Sequence, residues 1–140
     1  MFLAAATFAA AVLLMAFLYD GPWRGRGAEI GRGQVLYAKS CASCHGKNLE
    51  GQANWKTPLL NGRLPAPPHD ATGHTWHHTD EALAGLIKFG LKPYVGPDYE
   101  SDMPAFDGVL NDSEIADILT YIKSTWPERQ RAYQEQVTHQ

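Results

Sequence analysis

The feature that most constrains this chain is a short run, Cys41-Ala-Ser-Cys44-His45, which has the pattern C-x-x-C-H. Two thiols at this spacing lie on one helical turn and can form thioethers to the two vinyl groups of one haem. The next residue, His45, is then placed to bind the haem iron. The chain has 2 cysteines in all, which excludes a four-cysteine zinc site, and it lacks the βαβ pattern of a thioredoxin-like protein. The motif therefore predicts one covalently bound haem c.

Met103 is the candidate for the second axial ligand of the iron. Of the 3 methionines, Met1 and Met15 belong to the apolar start of the chain. Met103 precedes Pro104 in a charged loop, and a residue before proline is held extended, which suits a thioether that reaches a metal. Ligation by His45 and Met103 predicts an electron carrier, whereas an open sixth position would bind small ligands.

The start of the chain is an apolar run without a charged residue before Asp20. Its length is at the short end for a membrane-spanning helix. The alternative is a cleaved secretory signal, but the run ends Ala16-Phe17-Leu18-Tyr19 instead of in small residues. We therefore predict a transmembrane anchor over residues 1–19, followed by a short linker over residues 20–28.

Haem attachment to C-x-x-C-H takes place outside the bacterial cytoplasmic membrane, so we expect the protein in the inner membrane with its haem domain on the periplasmic side. The positive charges favour the opposite orientation, because Arg24 and Arg26 follow the apolar run and no Lys or Arg precedes it. We give the haem chemistry precedence over this charge bias.

The rest of the chain has helical patterns separated by loops, and no strand pattern stands out. Helices are predicted over residues 29–40, 79–91 and 111–126. Thr79 is a favourable N-cap for the second, and Asn111 with Glu114 can form a capping box for the third. We predict an all-α fold, with the haem domain over residues 29–126 and a charged helical tail over residues 127–140.

With these residues in place, the chain resembles the class I cytochromes c over residues 29–126. The spacing Gly33-x-x-x-Tyr37-x-x-x-Cys41 is similar to that of the family's N-terminal helix, and Tyr121 lies in a segment similar to its C-terminal helix. The resemblance implies a small helical domain around one covalent haem. In that domain Gly33 lets the two helices cross closely, and Tyr37 packs at the crossing. It also implies that the carbonyl of Pro58 accepts a hydrogen bond from His45.

Four histidines lie close together in the loop before the second predicted helix: His69, His74, His77 and His78. They have three interpretations. Imidazoles suit copper or zinc, so the cluster could hold a second metal. One histidine could instead be the distal haem ligand. We favour the third interpretation, a polar loop in which Trp76 and a histidine cover the haem or bind its propionates.

Acidic residues dominate the span between Pro93 and Ile122, which contains no Lys or Arg. The seven are Asp98, Glu100, Asp102, Asp107, Asp112, Glu114 and Asp117. They predict a negative potential near one haem edge, which would steer docking toward a basic partner surface.

The predicted function is single-electron transfer by a membrane-anchored periplasmic monohaem cytochrome c. We expect it to be a subunit or close partner of a membrane redox complex, such as a respiratory one, and not itself an enzyme. Neither a small-molecule substrate nor nucleic acid is expected. The alternatives are the haem subunit of a periplasmic dehydrogenase and a haem-based sensor of small ligands.

Overall fold

The computed structural model describes residues 22–139, and within them it has six α-helices, a single 3-10 turn and no strand. The helices are α1 (Pro22–Ser40), α2 (Ala42–His45), α3 (Asp80–Phe89), α4 (Lys92–Val95), α5 (Asp112–Ser124) and α6 (Glu128–Thr138), and the 3-10 turn is Thr75–His77. The all-α prediction is confirmed for this part of the chain. The predicted anchor, residues 1–19, lies outside the described residues. No helix between residues 22 and 139 is long and apolar enough to cross a membrane.

The first helix is longer than predicted. It begins at Pro22, so residues 22–28, which we predicted as linker, have helical backbone. Each glycine in a helix costs about 1 kcal/mol relative to alanine, and α1 contains several. Adding a turn to an existing helix is nevertheless far easier than nucleating a new one, and the later turns of α1 are held by packing.

The centre of the fold is the crossing of α1 and α5. A Cβ on Gly33 would overlap the backbone oxygen of Asp117 and lie 2.9 Å from Cβ of Tyr121, so only glycine permits this approach. The rings of Tyr37 and Tyr121 pack beside it, with centroids 5.5 Å apart. Arg32 adds a bidentate ion pair to the buried Asp117, at 2.7 and 3.0 Å. The close crossing implied by the resemblance is therefore present.

The hydrophobic core gathers around α5. The predicted capping box is formed, since Asn111 and Glu114 exchange side-chain to backbone hydrogen bonds of 2.9 and 3.0 Å. The buried core residues are Tyr37, Leu49, Leu83, Leu110, Ile115, Ile118, Leu119, Ile122 and Trp126. The N-cap of α3 is also as predicted, because Thr79 Oγ1 accepts from the backbone N–H of Ala82 at 3.1 Å.

The charged C-terminal segment forms α6, which folds back onto the domain. Gln134 is 1% exposed, and its Nε2 donates to Oδ1 of Asp80 at 2.6 Å and to the carbonyl of His78 at 3.3 Å. Tyr133 packs edge-on against Trp76, with ring centroids 5.4 Å apart. Helix α6 therefore covers the 3-10 turn and the start of α3.

Candidate haem site

The C-x-x-C-H motif begins at Cys41, the N-cap of α2, and continues along α2 to His45, directly after α1. The backbone N–H of Cys41 donates to the backbone carbonyl of Tyr37 at 2.8 Å, and that of His45 donates to the backbone carbonyl of Cys41 at 2.9 Å. The two thiols therefore lie one helical turn apart. Cys41 is partly buried and Cys44 is exposed. Burial raises the pKa of the Cys41 thiol to about 11. The hydroxyl of Tyr37 donates to the carbonyl of Gly46 at 2.9 Å, which holds the turn that ends the motif.

His45 is oriented by a backbone carbonyl from the long loop. Its side chain is buried, and Nδ1 donates to the carbonyl oxygen of Pro67 at 2.9 Å. Burial lowers the pKa of this imidazole, which favours the neutral ring. With the proton on Nδ1, the lone pair of Nε2 is available to a metal.

The prediction that Pro58 supplies this carbonyl is wrong, because Pro67 occupies that place and Pro58 is exposed. The reason is the path of the loop. Leu59 and Arg63 close a tight turn, and Gln52 pairs with Ala66 through hydrogen bonds of 2.8 and 2.9 Å, which brings the proline-rich run past His45. The carbonyls of an extended proline-rich segment have no local hydrogen-bond partners. The proline-rich run was therefore the sequence signal for a carbonyl that can accept from His45.

His69 lies against His45. The two rings are stacked with centroids 4.0 Å apart and planes 23° apart, and Nδ1 of His69 is hydrogen-bonded to Thr75 Oγ1 at 2.8 Å. Burial, together with the neighbouring His45 and His74, lowers the pKa of His69 to about 3. Two rings in direct contact leave no space for an iron between them. The geometry therefore does not suit His69 as a distal ligand opposite His45.

The other three clustered histidines contact aromatic rings. His74 stacks on Trp55 at 5.3 Å and meets His78 edge-on at 5.5 Å, while His77 lies 3.7 Å from the ring of Trp76. Between residues 22 and 139, no three His, Cys, Asp or Glu side chains converge as a metal site. The contacts observed here are those of a packed polar loop.

Met103 lies partly buried in the loop between α4 and α5. Its backbone N–H donates to Oγ of Ser101 at 3.0 Å. After Met103 the loop is held by backbone hydrogen bonds to the end of α3, from Phe106 to Ile87 at 3.1 Å and from Asp107 to Lys88 at 2.9 Å. The structure thus ties the segment that follows Met103 to α3.

Trp76 carries a buried donor without a partner. Among the described residues, its indole Nε1 is the only buried side-chain nitrogen or oxygen that lacks a hydrogen bond. An unpaired buried donor costs about 1–3 kcal/mol, so an acceptor is expected nearby. A haem propionate would supply one. Two thiols on one turn, a buried His45 that favours the neutral form and this orphaned donor together fit a haem c.

A cytochrome c family model matches residues 30–126 of the chain. The chain belongs to the cytochrome c family. The match contains the C-x-x-C-H motif, the helix crossing at Gly33 and the loop with Met103. Membership implies a covalently bound haem c and a role in electron transfer. A bound haem supplies reversible one-electron chemistry at its iron, while the protein provides the thiols, the axial ligand and an environment that sets the potential.

Two curated relatives of this cytochrome c are subunits of oxidoreductases. They are the gluconate 2-dehydrogenase cytochrome c subunit of Pantoea cypripedii and the cbb3-type cytochrome c oxidase subunit FixP of Bradyrhizobium diazoefficiens, each 28% identical. The alignments cover 74% and 66% of this chain but only 22% and 29% of the relatives. The chain therefore spans less than a third of either relative. No solved structure matches it.

Sequence reasoning missed the cations that pair with the acidic span. Four of its seven acids are in ion pairs: Asp117 with Arg32, Glu100 and Asp102 with Arg63, and Asp112 with Lys88. Each of these cations comes from an earlier part of the chain. The negative potential of this face is therefore weaker than the sequence of the span alone indicates.

Proposed function

We propose that this cytochrome c carries single electrons at the periplasmic face of the inner membrane, with one haem c whose iron is bound by His45 and Met103. The observation that carries the proposal is the arrangement of His45, which is buried, hydrogen-bonded through Nδ1 to Pro67 and next to two thiols on one turn. A ring held in this way presents Nε2 as a proximal ligand.

Ligation by Met103 is supported by the partly buried methionine in its tethered loop. The test uses haem-loaded wild type and Met103→Ala. Ferric wild type should show the weak methionine–iron charge-transfer band at the red end of the visible spectrum, and the variant should lose it. Ferrous wild type should resist carbon monoxide. Fast, tight binding of carbon monoxide to wild type would instead favour the sensor.

Anchoring is supported by the uncharged run over residues 1–19. Fractionation of cells that express the full chain, with peptide mapping of the mature N-terminus, tests it. Retention of residues 1–19 in the membrane fraction is expected. A soluble protein that begins after residue 19 would show that the run is a cleaved signal.

The partner is proposed to be a membrane redox complex, and we infer that this chain serves as one of its subunits or as a close companion. The support is that one relative is named as an oxidase subunit. Co-purification from detergent-solubilised membranes tests the proposal directly. A second candidate, the cytochrome subunit of a dehydrogenase, is favoured by the name of the other relative. The identity of the catalytic subunit that co-purifies distinguishes the two candidate functions.

A further inference from the structure

One short segment, residues 63–67, connects the neighbourhoods of both proposed iron ligands. At its end, the carbonyl of Pro67 accepts from His45 at 2.9 Å. At its start, the guanidinium of Arg63 binds Oε2 of Glu100 at 3.0 Å and also binds Asp102. Asp102 directly precedes Met103. The same segment therefore contacts the proximal ligand on one side and the loop of the distal ligand on the other.

The backbone of this segment is firmly held. Gln52 pairs with both polar groups of the Ala66 backbone, through its own N–H and its side-chain Oε1. The carbonyl of Arg63 accepts a hydrogen bond from the backbone N–H of Leu59 at 2.8 Å. The backbone N–H of Arg63 donates to Oδ1 of Asn61 at 3.1 Å. The backbone of Arg63 is thus held in place, and its planar guanidinium donates hydrogen bonds to two carboxylates.

The loop before Met103 depends on such charged contacts. The segment that follows Met103 is held by backbone hydrogen bonds that Phe106 and Asp107 donate to α3. Upstream, Glu100 is bound by Arg63 and by Lys92 at 3.3 Å, and Asp102 is bound by Arg63. Loss of Arg63 would therefore remove the ion pairs that join Asp102 and Glu100 to the segment that orients His45. The ion pair of Glu100 with Lys92, a residue of the neighbouring α4, would remain.

We propose that Arg63 is a positioning residue that keeps Met103 on the haem iron by holding the loop in front of it. The inference rests on the proposed ligation by Met103. It goes beyond that ligation because it assigns the stability of the methionine–iron bond to a side chain forty positions earlier in the chain, from the loop that also orients His45.

Imidazole, which competes with Met103 for ferric iron, is the probe. Haem-loaded Arg63→Gln should bind imidazole about two- to five-fold more tightly than wild type, the range expected from an exposed ion pair. Arg63→Lys should recover part of the difference. Arg131→Gln is the matched control, because Arg131 is an exposed arginine paired with Glu128 inside α6, and it should leave imidazole affinity unchanged.

The salt dependence of the imidazole affinity is a second readout. It would not change if Arg63 only stabilised the fold. About 0.5 M salt screens exposed charges, so it should raise the imidazole affinity of wild type toward that of Arg63→Gln and barely affect the variant. If Arg63→Gln matches wild type in imidazole affinity at low and high salt, Arg63 does not position Met103, whatever its effect on thermal unfolding.

Met103→Ala separates this inference from the proposed function. If it binds imidazole far more tightly than wild type while Arg63→Gln does not differ from wild type, ligation by Met103 stands and only the role of Arg63 is overturned. If wild type already binds imidazole as tightly as Met103→Ala, Met103 is not a ligand and both proposals fail.

Discussion

Gly33 is a residue whose absent side chain sets the geometry of the whole crossing between α1 and α5. Gly33→Ala would place a Cβ against the Asp117 carbonyl and Tyr121, so the two helices would have to separate. We expect a loss of about 1–3 kcal/mol in the free energy of unfolding. Denaturant unfolding of the haem-loaded protein measures it.

Gly31→Ala is the matched control, since nothing lies within 4 Å of a Cβ at that position of the same helix. It should be neutral or stabilise by up to about 1 kcal/mol through helix propensity. Equal effects of the two substitutions would show that the crossing does not depend on Gly33.

Trp76 is the second residue whose role can be tested, because Phe keeps a ring at this position and removes the orphaned indole N–H together with the five-membered ring. If that donor binds a haem propionate, Trp76→Phe leaves more negative charge near the iron. Ferric iron is then stabilised, so the reduction potential should fall. Redox titration of the two proteins measures the change.

Trp55→Phe is the control, since Trp55 stacks on His74 in the long loop. An unchanged potential in Trp76→Phe would rule out the propionate bond.

At the scale of elements, α6 shows how a helix of polar composition can be held by one buried amide. Gln134→Ala would leave Oδ1 of Asp80 and the carbonyl of His78 without this donor. We expect a destabilisation of about 1–3 kcal/mol. Thermal or denaturant unfolding checks it.

Gln136→Ala tests the same substitution on an exposed position of the same helix, where a change within about 0.5 kcal/mol is expected. If the Gln134 and Gln136 variants are equally stable, α6 is not fastened through Gln134. The buried amide would then be a consequence of docking by the ring of Tyr133 on Trp76.

At the scale of the whole molecule, charge distribution governs encounter with a partner. Arginines and lysines from α1, α3 and the long loop neutralise part of the acidic span, but the chain keeps a net charge of −3. With a basic docking surface on the partner, electron transfer should slow as salt rises from about 10 mM to about 300 mM. Stopped-flow oxidation by solubilised membranes measures this. A rate independent of salt would argue against a basic surface.

Much of the fold follows from short-range patterns. The capping box of α5 and the N-cap of α3 join residues three apart, and the C-x-x-C-H turn spans one helical turn, so local sequence is sufficient. The start of α1 was missed because glycines in isolation favour a linker, whereas cooperativity extends a packed helix through them.

The sequence by itself predicted Cys41 and Cys44 as the haem attachment residues and the all-α class. The resemblance to the class I cytochromes c implied the close helix crossing at Gly33. The tertiary structure alone decided that Pro67 and not Pro58 orients His45, that Arg63 reaches Asp102, and that α6 covers Trp76. These contacts join residues far apart in sequence through a long loop. Their pairing depends on the path of that loop, and no local periodicity encodes that path.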